Sequence, residues 1–177
     1  MKKLTTKEIF QKNQERTSPY NFKNTKIWLH NIRSMHNVGS SFRTADAFGI
    51  SEVILSGYTP VPPRPEISKT ALGAEKFVKW SYVKNAADKV SILKQNEFQI
   101  IGMEQTDNSR LLTEFEPQEN NSLCYIFGNE VTGIDQELLL LCDDIVEIPQ
   151  FGQKHSFNVS VSIGIVLYDY LKKSRKV

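Results

Sequence analysis

The apolar and polar positions of the chain follow two alternating patterns. Short continuous apolar runs predict buried strands, and the segments between them repeat their apolar residues every three or four positions, which is typical of amphipathic helices. The predicted strands are residues 27–29, 52–56, 77–83, 98–103, 123–127 and 145–148. The predicted helices are residues 5–15, 37–48, one or two turns within 68–75, 86–94, 136–141 and a last helix that ends at Leu171. Strands that alternate with helices predict a largely parallel sheet with helices on both faces, in one α/β domain.

The last helix is predicted to begin beside a polar loop. After the strand that ends at Ile148, a polar segment leads into apolar residues at helical spacing, and Val161 and Ile165 predict a second buried flank of that helix. Ser156 or Asn158 is the expected N-cap, so the backbone N–H groups at the helix start would point outward. A helix that starts in this way can both fill a core and frame a pocket.

Two segments are predicted to lack regular structure. Residues 57–65 contain four prolines, which favour an extended loop. Residues 107–121 are polar and are predicted to be mostly loop.

Length and composition are those of an ordinary globular protein. The 177 residues, 40% hydrophobic and 24% charged, suffice for one domain with a substantial core, so we expect a single domain over 1–177 with a short N-terminal extension over 1–26. Cys124 and Cys142 lie in apolar segments without metal-like spacing, which indicates reduced core residues and a cytoplasmic location. The N-terminal segment lacks the apolar core of a signal peptide, and no apolar stretch approaches the roughly 20 residues of a membrane span, so no membrane partner is expected.

The net charge of +2 is too small to indicate a polyanionic partner, but basic residues concentrate at both ends. These residues are Lys2, Lys3, Lys7, Lys12, Arg16, Lys172, Lys173, Arg175 and Lys176. Basic ends bind nucleic acid in some proteins and are simply solvated in more of them, and both interpretations stay open here.

Three polar clusters follow predicted strands. They are residues 30–43 after the first strand, residues 127–134 after the fifth, and the loop that follows Ile148. Because ligands of open parallel sheets bind beyond the carboxyl ends of the strands, these clusters are the candidate site.

Several common site chemistries are absent from the sequence. There is no GxGxxG after the first strand and no GxxxxGK[ST], and no serine lies in a GxSxG context. His30, His36 and His155 are scattered without metal-ligand spacing, so no metal is expected. What remains is a site of amide, hydroxyl and guanidinium groups, in which Arg33 and Arg43 offer planar forks suited to phosphate.

Taken in order, the three clusters resemble the motifs of the SpoU/TrmH family in the SPOUT superfamily of RNA methyltransferases. The family's motifs are an Asn-x-Gly followed by an Arg, a strand followed by Gly-x-Glu-x-x-Gly, and an Ile-Pro followed by Ser-x-Asn-Val-Ser-Val. The matching residues are Asn37, Gly39, Arg43, Ala45 and Gly49, then Gly128, Glu130 and Gly133, and then Ile148, Pro149, Ser156, Asn158, Val159, Ser160 and Val161. The resemblance covers residues 27–171 and departs from the family at Phe157, where a Leu is usual.

This resemblance implies a fold, an activity and a cofactor. It implies an α/β domain with a deep C-terminal trefoil knot, a homodimer, and S-adenosylmethionine as donor of a methyl group to a ribose 2′-hydroxyl in RNA. The catalytic and substrate residues would be Asn37, Arg43, Glu130, Ser156 and Asn158. The cofactor would be held around Glu104, Gln105, Gly128, Ile148 and Phe157. The basic residues expected to contact RNA are Arg33, His36, Arg64, Lys69 and Lys154.

Chemistry limits the role of Arg43. A guanidinium keeps its proton up to a pKa above roughly 12, so Arg43 is not a general base at neutral pH. Our hypothesis is that Arg43 grips the phosphate next to the target and stabilises the developing alkoxide. Ser156 and Asn158 would orient the cofactor end or the ribose.

The proton acceptor is left open between His36 and His155. Glu130 would accept a hydrogen bond from Asn37 or Arg43, act on the ribose, or pin a loop of the knot.

Two other functions compete with ribose methylation in tRNA. The chain could be a dimeric RNA-binding module without catalysis, or an enzyme that methylates rRNA or a base. The retained polar residues disfavour the binding module, and the compact chain slightly favours tRNA over rRNA. The proline-rich loop over residues 60–65 could close over the substrate.

Overall fold

The computed structural model of the chain describes residues 1–15, 22–117 and 122–174. Its strands are β1 (Thr25–His30), β2 (Glu52–Ser56), β3 (Trp80–Val83), β4 (Phe98–Met103), β5 (Arg110–Leu111), β6 (Ser122–Phe127) and β7 (Asp144–Glu147). Its α-helices are α1 (Thr6–Glu15), α2 (Met35–Phe48), α3 (Pro65–Ala71), α4 (Ala86–Gln95), α5 (Gln136–Leu139) and α6 (Val159–Lys173), and short 3-10 helices lie at Phe22–Asn24 and Ala74–Lys76. Arg16, Arg175 and Lys176 of the basic ends, and the last part of the predicted 107–121 loop, lie outside the described residues.

The strands form one parallel sheet in the order β3-β2-β1-β6-β4-β7-β5. β6 lies between β1 and β4, with Ile27 opposite Tyr125 and Ile101 opposite the same tyrosine from the other side. The carboxyl ends of β6, β4 and β7 are therefore neighbours at one edge of the sheet. The predicted parallel-sheet α/β fold is confirmed, and the knot stays a prediction of the resemblance.

Successive residues of the central strands face two separate cores. Ile27 and Leu29 pack in the core that also contains apolar residues of α2 and α6, whereas Trp28 between them packs with residues of α4 and α5. All three side chains are fully buried. Helices on both faces explain why these strands are continuous apolar runs rather than alternating ones.

Helix α2, which leads away from β1, is fixed at both ends by its local sequence. The Oγ of Ser34 accepts a hydrogen bond from the Asn37 N–H at 3.2 Å and caps the helix start. Gly49 ends it in the left-handed region, at φ +70°, and its N–H returns to the helix carbonyls. The predicted start at residue 37 was two residues late, because the cap is Ser34.

The segment 65–83 differs most from its prediction. Helix α3 begins at Pro65 instead of residue 68, since proline is well suited to the first helical position. The strand predicted over 77–83 begins only at Trp80, because the N–H groups of Phe77 and Val78 bond back to the Ala74 carbonyl in a 3-10 turn. Phe77 is consequently exposed instead of lying in the sheet.

The described part of segment 107–121 is mostly loop, as predicted, apart from the short edge strand β5, which pairs with β7. One further prediction was wrong. Val161, predicted to lie on a buried flank of α6, is exposed, because the core side of this helix is formed by Val159, Ile163 and Leu167. No helix in the described part of the chain is long and apolar enough to cross a membrane.

Candidate functional site

A cavity of about 430 Å³ opens at the carboxyl ends of β4, β6 and β7. Three chain segments line it, one after each of these strands. They include every residue predicted to hold a cofactor, namely Glu104, Gln105, Gly128, Ile148 and Phe157. Of the predicted catalytic residues, Glu130 and Ser156 also line the cavity. The polar clusters after the fifth strand and after Ile148 thus meet at this edge, as the sheet rule predicts.

The cavity wall after β6 is a tight turn, residues 128–135, which we call the 128–135 turn. The backbones of Asn129 and Gly133 exchange hydrogen bonds of 2.9 and 3.0 Å. The Oδ1 of Asn129 also accepts the N–H groups of Val131 and Thr132. The turn is therefore closed by hydrogen bonds between its own residues.

Two glycines of this turn are required by close approach. A Cβ on Gly128 would lie 2.3 Å from the Gly133 carbonyl carbon, and Gly133 has φ +71°. A Cβ on Gly133 would lie 2.2 Å from the Oε2 of Glu104. Both glycines of the second motif are thus explained by packing of the cavity wall.

The polar groups of Glu104 and Gln105 are already engaged with the protein. Glu104 accepts the Ile134 N–H at 2.9 Å through one oxygen and the Gln105 N–H at 2.9 Å through the other. The side-chain amide of Gln105 donates to the carbonyl of His155 at 2.8 Å. These residues join the three walls of the cavity to one another, which is a shaping role that the sequence did not reveal.

Asn37, Glu130 and Asn158, one from each motif, form a continuous hydrogen-bonded chain. The amide of Asn158 donates to the Oδ1 of Asn37 at 3.0 Å, and the amide of Asn37 donates to Glu130 at 2.9 Å. The Oδ1 of Asn158 accepts the Ser160 N–H at 2.9 Å and caps α6, so Asn158 rather than Ser156 is the N-cap. The starts of α2 and α6 and the 128–135 turn are thereby fixed against one another.

Glu130 is held in its ionised form by this arrangement. Its carboxylate also accepts the N–H groups of Arg33 at 3.1 Å and Ser34 at 3.3 Å. Partial burial on its own would raise the pKa of Glu130, but the hydrogen bonds from Arg33, its own N–H, Asn37 and Ser34 outweigh it and lower the pKa below its ordinary value. An ionised, fully engaged carboxylate is a poor proton donor and a good anchor.

Arg43 lies apart from this chain of hydrogen bonds. It follows Asn37 by six residues, which places it about 120° around α2 and about 9 Å along its axis. Its side chain is exposed, does not line the cavity, and has no hydrogen bond or ion pair with the described residues. Asn37 sits inside the first turn of α2, and Arg43 lies on another side of the same helix.

The residues expected to contact RNA are all on the surface. Each is exposed, and each lies outside the residues that line the cavity: Arg33, His36, Arg64, Lys69 and Lys154. Between the two candidate proton acceptors, His155 lines the cavity and His36 does not. Within the described ranges no group of His, Cys, Asp and Glu side chains could hold a metal ion.

A second, apolar groove of about 550 Å³ runs along the outer face of α6. Val161, Ile165 and Tyr168 line it together with Ile148 and Pro149, which follow β7. Val161 is 49% exposed and Tyr168 is 58% exposed. The groove therefore begins where the cavity ends and presents an uncovered apolar surface.

Comparison with known proteins identifies the family. A sequence model of the SpoU rRNA Methylase family matches residues 24–168. The chain belongs to this SpoU family. It is 36% identical over 139 residues to a 23S rRNA (guanosine-2'-O-)-methyltransferase of Neisseria meningitidis, an alignment that covers 78% of this chain and 54% of that relative. The chain thus spans about half the length of this curated relative.

Solved SpoU-family structures share the fold. A TrmH/SpoU tRNA modifying enzyme of A. aeolicus superposes with a TM-score of 0.78 at 25% identity, covering 87% of this chain and 77% of that one. An AdoMet-bound rRNA methyltransferase from Sinorhizobium meliloti has a TM-score of 0.78 at 25% identity, covering 89% of this chain and 61% of that one. The resemblance inferred from the three motifs is confirmed at the level of family and fold.

Sequence reasoning missed several residues that build this SpoU-family site. Asn129 closes the 128–135 turn, and its position just before Glu130, followed by Gly133, is a local signal for such a turn. Ser34 was recognisable as an N-cap residue three positions before Asn37. No local signal announces the contact of Asp135 with His30, because these residues are 105 positions apart.

Proposed function

We propose that the chain is an S-adenosylmethionine-dependent RNA methyltransferase that modifies a ribose 2′-hydroxyl in tRNA and acts as a homodimer in the cytoplasm. The observation that carries the proposal is the hydrogen-bonded chain of Asn37, Glu130 and Asn158 at the cavity. It joins the three motifs of the family at the sheet edge where ligands of such folds bind. Family membership and the AdoMet-bound relative support the same activity.

The cavity suits the proposed cofactor in size and chemistry. Its volume of about 430 Å³ lies within the range of roughly 300–1,000 Å³ typical of small-molecule sites. Phe127, Val146 and Ile148 offer an apolar wall, and the backbone at Gly128 and Phe157 offers polar groups. S-adenosylmethionine would supply a methyl group that is transferred from its sulfonium to an oxygen nucleophile.

The chain's own residues would orient the RNA and handle its proton. Ser156 is exposed at the cavity and makes no hydrogen bond with the described residues, so its hydroxyl is free to contact the ribose. His155, next to it in the cavity lining, is the better placed of the two histidines to accept the 2′-hydroxyl proton. Glu130, whose bonds are already used, fixes Asn37 rather than acting on the ribose.

Arg43 is assigned to the RNA backbone. Its guanidinium is exposed, has no protein partner among the described residues, and lies outside the cavity, which suits a phosphate of the bound strand. Arg33, His36, Arg64, Lys69 and Lys154 would add phosphate contacts along the surface. Replacing any one of these arginines or lysines by Ala should reduce the magnitude of the slope of log binding constant against log salt by about 0.7 to 0.9.

The homodimer is proposed from the groove on α6. A second copy of the chain would cover Val161, Ile165 and Tyr168, which otherwise leave an apolar helix face in water. In light scattering after size exclusion, the wild type should have twice the mass of a Val161→Asp variant. A control, Ile92→Asp, changes another exposed apolar residue on α4 and should remain dimeric. A monomeric wild type would overturn the dimer.

Methyl transfer to RNA tests the activity directly. Purified protein is incubated with tritiated S-adenosylmethionine and total RNA from a strain that lacks the gene, and the labelled nucleosides are identified. We expect label in a 2′-O-methyl nucleoside of the tRNA fraction. Label in the rRNA fraction, which the name of the Neisseria relative favours, would retain the activity and change the substrate. Cofactor binding without any label would point to a missing partner protein or an unusual substrate, and absence of cofactor binding would favour the non-catalytic RNA-binding module.

Variants of Arg43 then test its role. Arg43→Ala should abolish labelling, and Arg43→Lys should retain little of it because Lys lacks the planar fork. The matched control is Arg110→Ala, since Arg110 is also exposed but lies on the edge strand β5 beside Asp144. Near-full activity of Arg43→Lys would refute the phosphate clamp.

A further inference from the structure

A buried relay of four side chains connects β1 and β2 to the 128–135 turn. The indole N–H of Trp28 donates to the Oγ of Ser56 at 2.7 Å, and this oxygen lies 2.6 Å from the Nδ1 of His30. The Nε2 of His30 lies 2.8 Å from a carboxylate oxygen of Asp135. His30 and Ser56 are 7% and 1% exposed, so the relay is shielded from water for most of its length.

The direction of every hydrogen bond in the relay follows from its two ends. A carboxylate only accepts, so the Nε2 of His30 carries the proton that Asp135 binds. In a neutral imidazole the Nδ1 is then an acceptor, and the hydroxyl of Ser56 donates to it. The remaining lone pair of that hydroxyl accepts the Trp28 N–H. In this tautomer every hydrogen bond of the relay has one donor and one acceptor.

The serine of this relay is not a nucleophile, although Ser, His and Asp stand in line. Ser56 is 1% exposed and lies within a strand of the sheet, where no substrate reaches it. The relay ends at the surface only at Asp135, whose side chain is 57% exposed. Its effect must therefore pass through Asp135.

Asp135 occupies an N-cap position without capping. It precedes α5, yet its side chain makes no cap hydrogen bond to that helix. Its carboxylate instead accepts His30 and, at 3.0 Å, the amide of Asn31. Asp135 is thus turned toward the end of β1, and this contact ties the last residue of the 128–135 turn to that strand.

The same segment after β1 holds the first half of the turn as well. The amide of Asn129 donates to the Asn31 carbonyl at 2.9 Å, and Glu130 accepts the N–H groups of Arg33 and Ser34. Residues 30–34 therefore form hydrogen bonds with the first residues of the 128–135 turn and with its last residue. The same turn lines the cavity through residues that include Gly128, Val131 and Gly133.

We propose that His30 and Asp135 are positioning residues that set the cofactor-facing wall of the cavity, by a hydrogen bond from His30 to Asp135 that holds the end of the 128–135 turn. Neither residue lines the cavity, so the effect is on the wall and not a contact with the ligand. This inference rests on the proposed function, because it takes S-adenosylmethionine as the molecule that the wall faces.

Two substitutions of His30 separate its two hydrogen bonds. The amide nitrogen of Gln lies near the position of Nε2, so His30→Gln keeps the donor to Asp135. The shorter Asn matches only the Nδ1 position, so His30→Asn keeps the contact with Ser56 and loses the one with Asp135. Asp135→Ala removes the acceptor of the same bond from the exposed end, together with the acceptor of the Asn31 amide.

The test measures binding of S-adenosylmethionine to each full-length variant by isothermal titration calorimetry, well below the melting temperature of the least stable variant. We expect Kd to rise about tenfold in His30→Asn and in Asp135→Ala and to stay within threefold of the wild type in His30→Gln. A histidine that only fills space would not be rescued by Gln. Its replacement would lower the melting temperature, but Kd would not differ between His30→Gln and His30→Asn according to where each variant places its donor.

The other outcomes overturn the inference. Binding within twofold of the wild type in Asp135→Ala would show that the wall does not depend on the link. Equal losses in His30→Gln and His30→Asn would show that burial of the imidazole, and not its Nε2 donor, matters. If the wild type itself does not bind S-adenosylmethionine, the proposed function fails and the inference falls with it.

Discussion

Replacing Glu130 by Gln removes one negative charge from the junction of the three motifs and keeps the shape of the side chain. Besides its own backbone N–H, the carboxylate accepts three hydrogen bonds, from the amide of Asn37 and the N–H groups of Arg33 and Ser34, at 2.9, 3.1 and 3.3 Å. The side-chain oxygen of Gln can keep the hydrogen bonds from Asn37 and Ser34, which reach the same oxygen of Glu130. The amide nitrogen of Gln then faces the Arg33 N–H, so two hydrogen-bond donors oppose each other.

The expected loss of stability follows from these bonds. Hydrogen bonds to a charged group contribute about 1.5–3 kcal/mol each and neutral ones about 0.5–1.5, so two weakened bonds and one lost bond amount to about 3.5–6 kcal/mol. The site is only partly buried, and solvent screening reduces this to about 2 kcal/mol. For a chain of this length, the melting temperature should fall by roughly 4–8 °C.

The pH dependence gives the sharper test. The pKa of Glu130 is lowered in the folded state, so its stabilising effect is present above the unfolded pKa of about 4.3 and is lost as the pH falls through the folded pKa. The difference in unfolding free energy between wild type and Glu130→Gln should be largest at neutral pH and should shrink as the pH falls through the lowered folded pKa of Glu130. Glu52, whose pKa is also lowered, is present in both proteins and cancels.

Urea denaturation followed by circular dichroism at several pH values measures this difference. Wild type and variant are compared at each pH. A difference between their urea midpoints reports a difference in stability only if their m-values are equal. A gap that is constant from pH 7 to pH 3 would refute the reasoning, because it would show that the charge of Glu130 does not stabilise the fold. A gap below about 0.5 kcal/mol at neutral pH would show that water replaces the lost bonds.

Further substitutions test other parts of the site. Asn158→Asp keeps the oxygen that caps Ser160 but loses the amide that donates to Asn37, so the stability should be unchanged while methyl transfer falls at least tenfold. Asn158→Ala loses the cap as well, so its free energy of unfolding should also fall by about 1 kcal/mol. An active Asp variant would contradict the role of the donor. Gly133→Ala should cost about 1–3 kcal/mol, because φ is +71° and the new Cβ would meet the Glu104 carboxylate. The comparison change Gly152→Ala has open space in the loop after β7 and should alter stability by less than about 0.5 kcal/mol in denaturant unfolding; equal effects of the two would contradict this account.

The central sheet could be predicted because its strands are buried on both faces. Strands β1, β2, β4 and β6 are continuous apolar runs, and this pattern follows directly from helices on both sides of the sheet. The site could be located for a related reason. Polar residues that follow parallel strands all lie at the carboxyl ends of the strands. The meeting of the second and third clusters could therefore be predicted without the strand order.

Other features depend on contacts that no local pattern records. The two residues of β5 are a strand only because β7 lies beside them. Val161 and Val159 are both apolar and close in sequence, and helical periodicity does not tell which of two apolar stripes meets the core and which meets solvent or another chain. The engagement of Glu104 with Ile134 likewise joins residues 30 positions apart.

Strand β6 has a consequence for the synthesis of this protein. It fills the gap between β1 and β4, and its partner residues on β1 precede it by about a hundred positions. Until β6 has left the ribosome, β1 has one unpaired apolar edge and β4 has no partner strand, because β7 follows β6 in the chain; unpaired edges of this kind promote aggregation. A chain that stops before Ser122 would therefore carry open edges on both β1 and β4 instead of forming a smaller sheet.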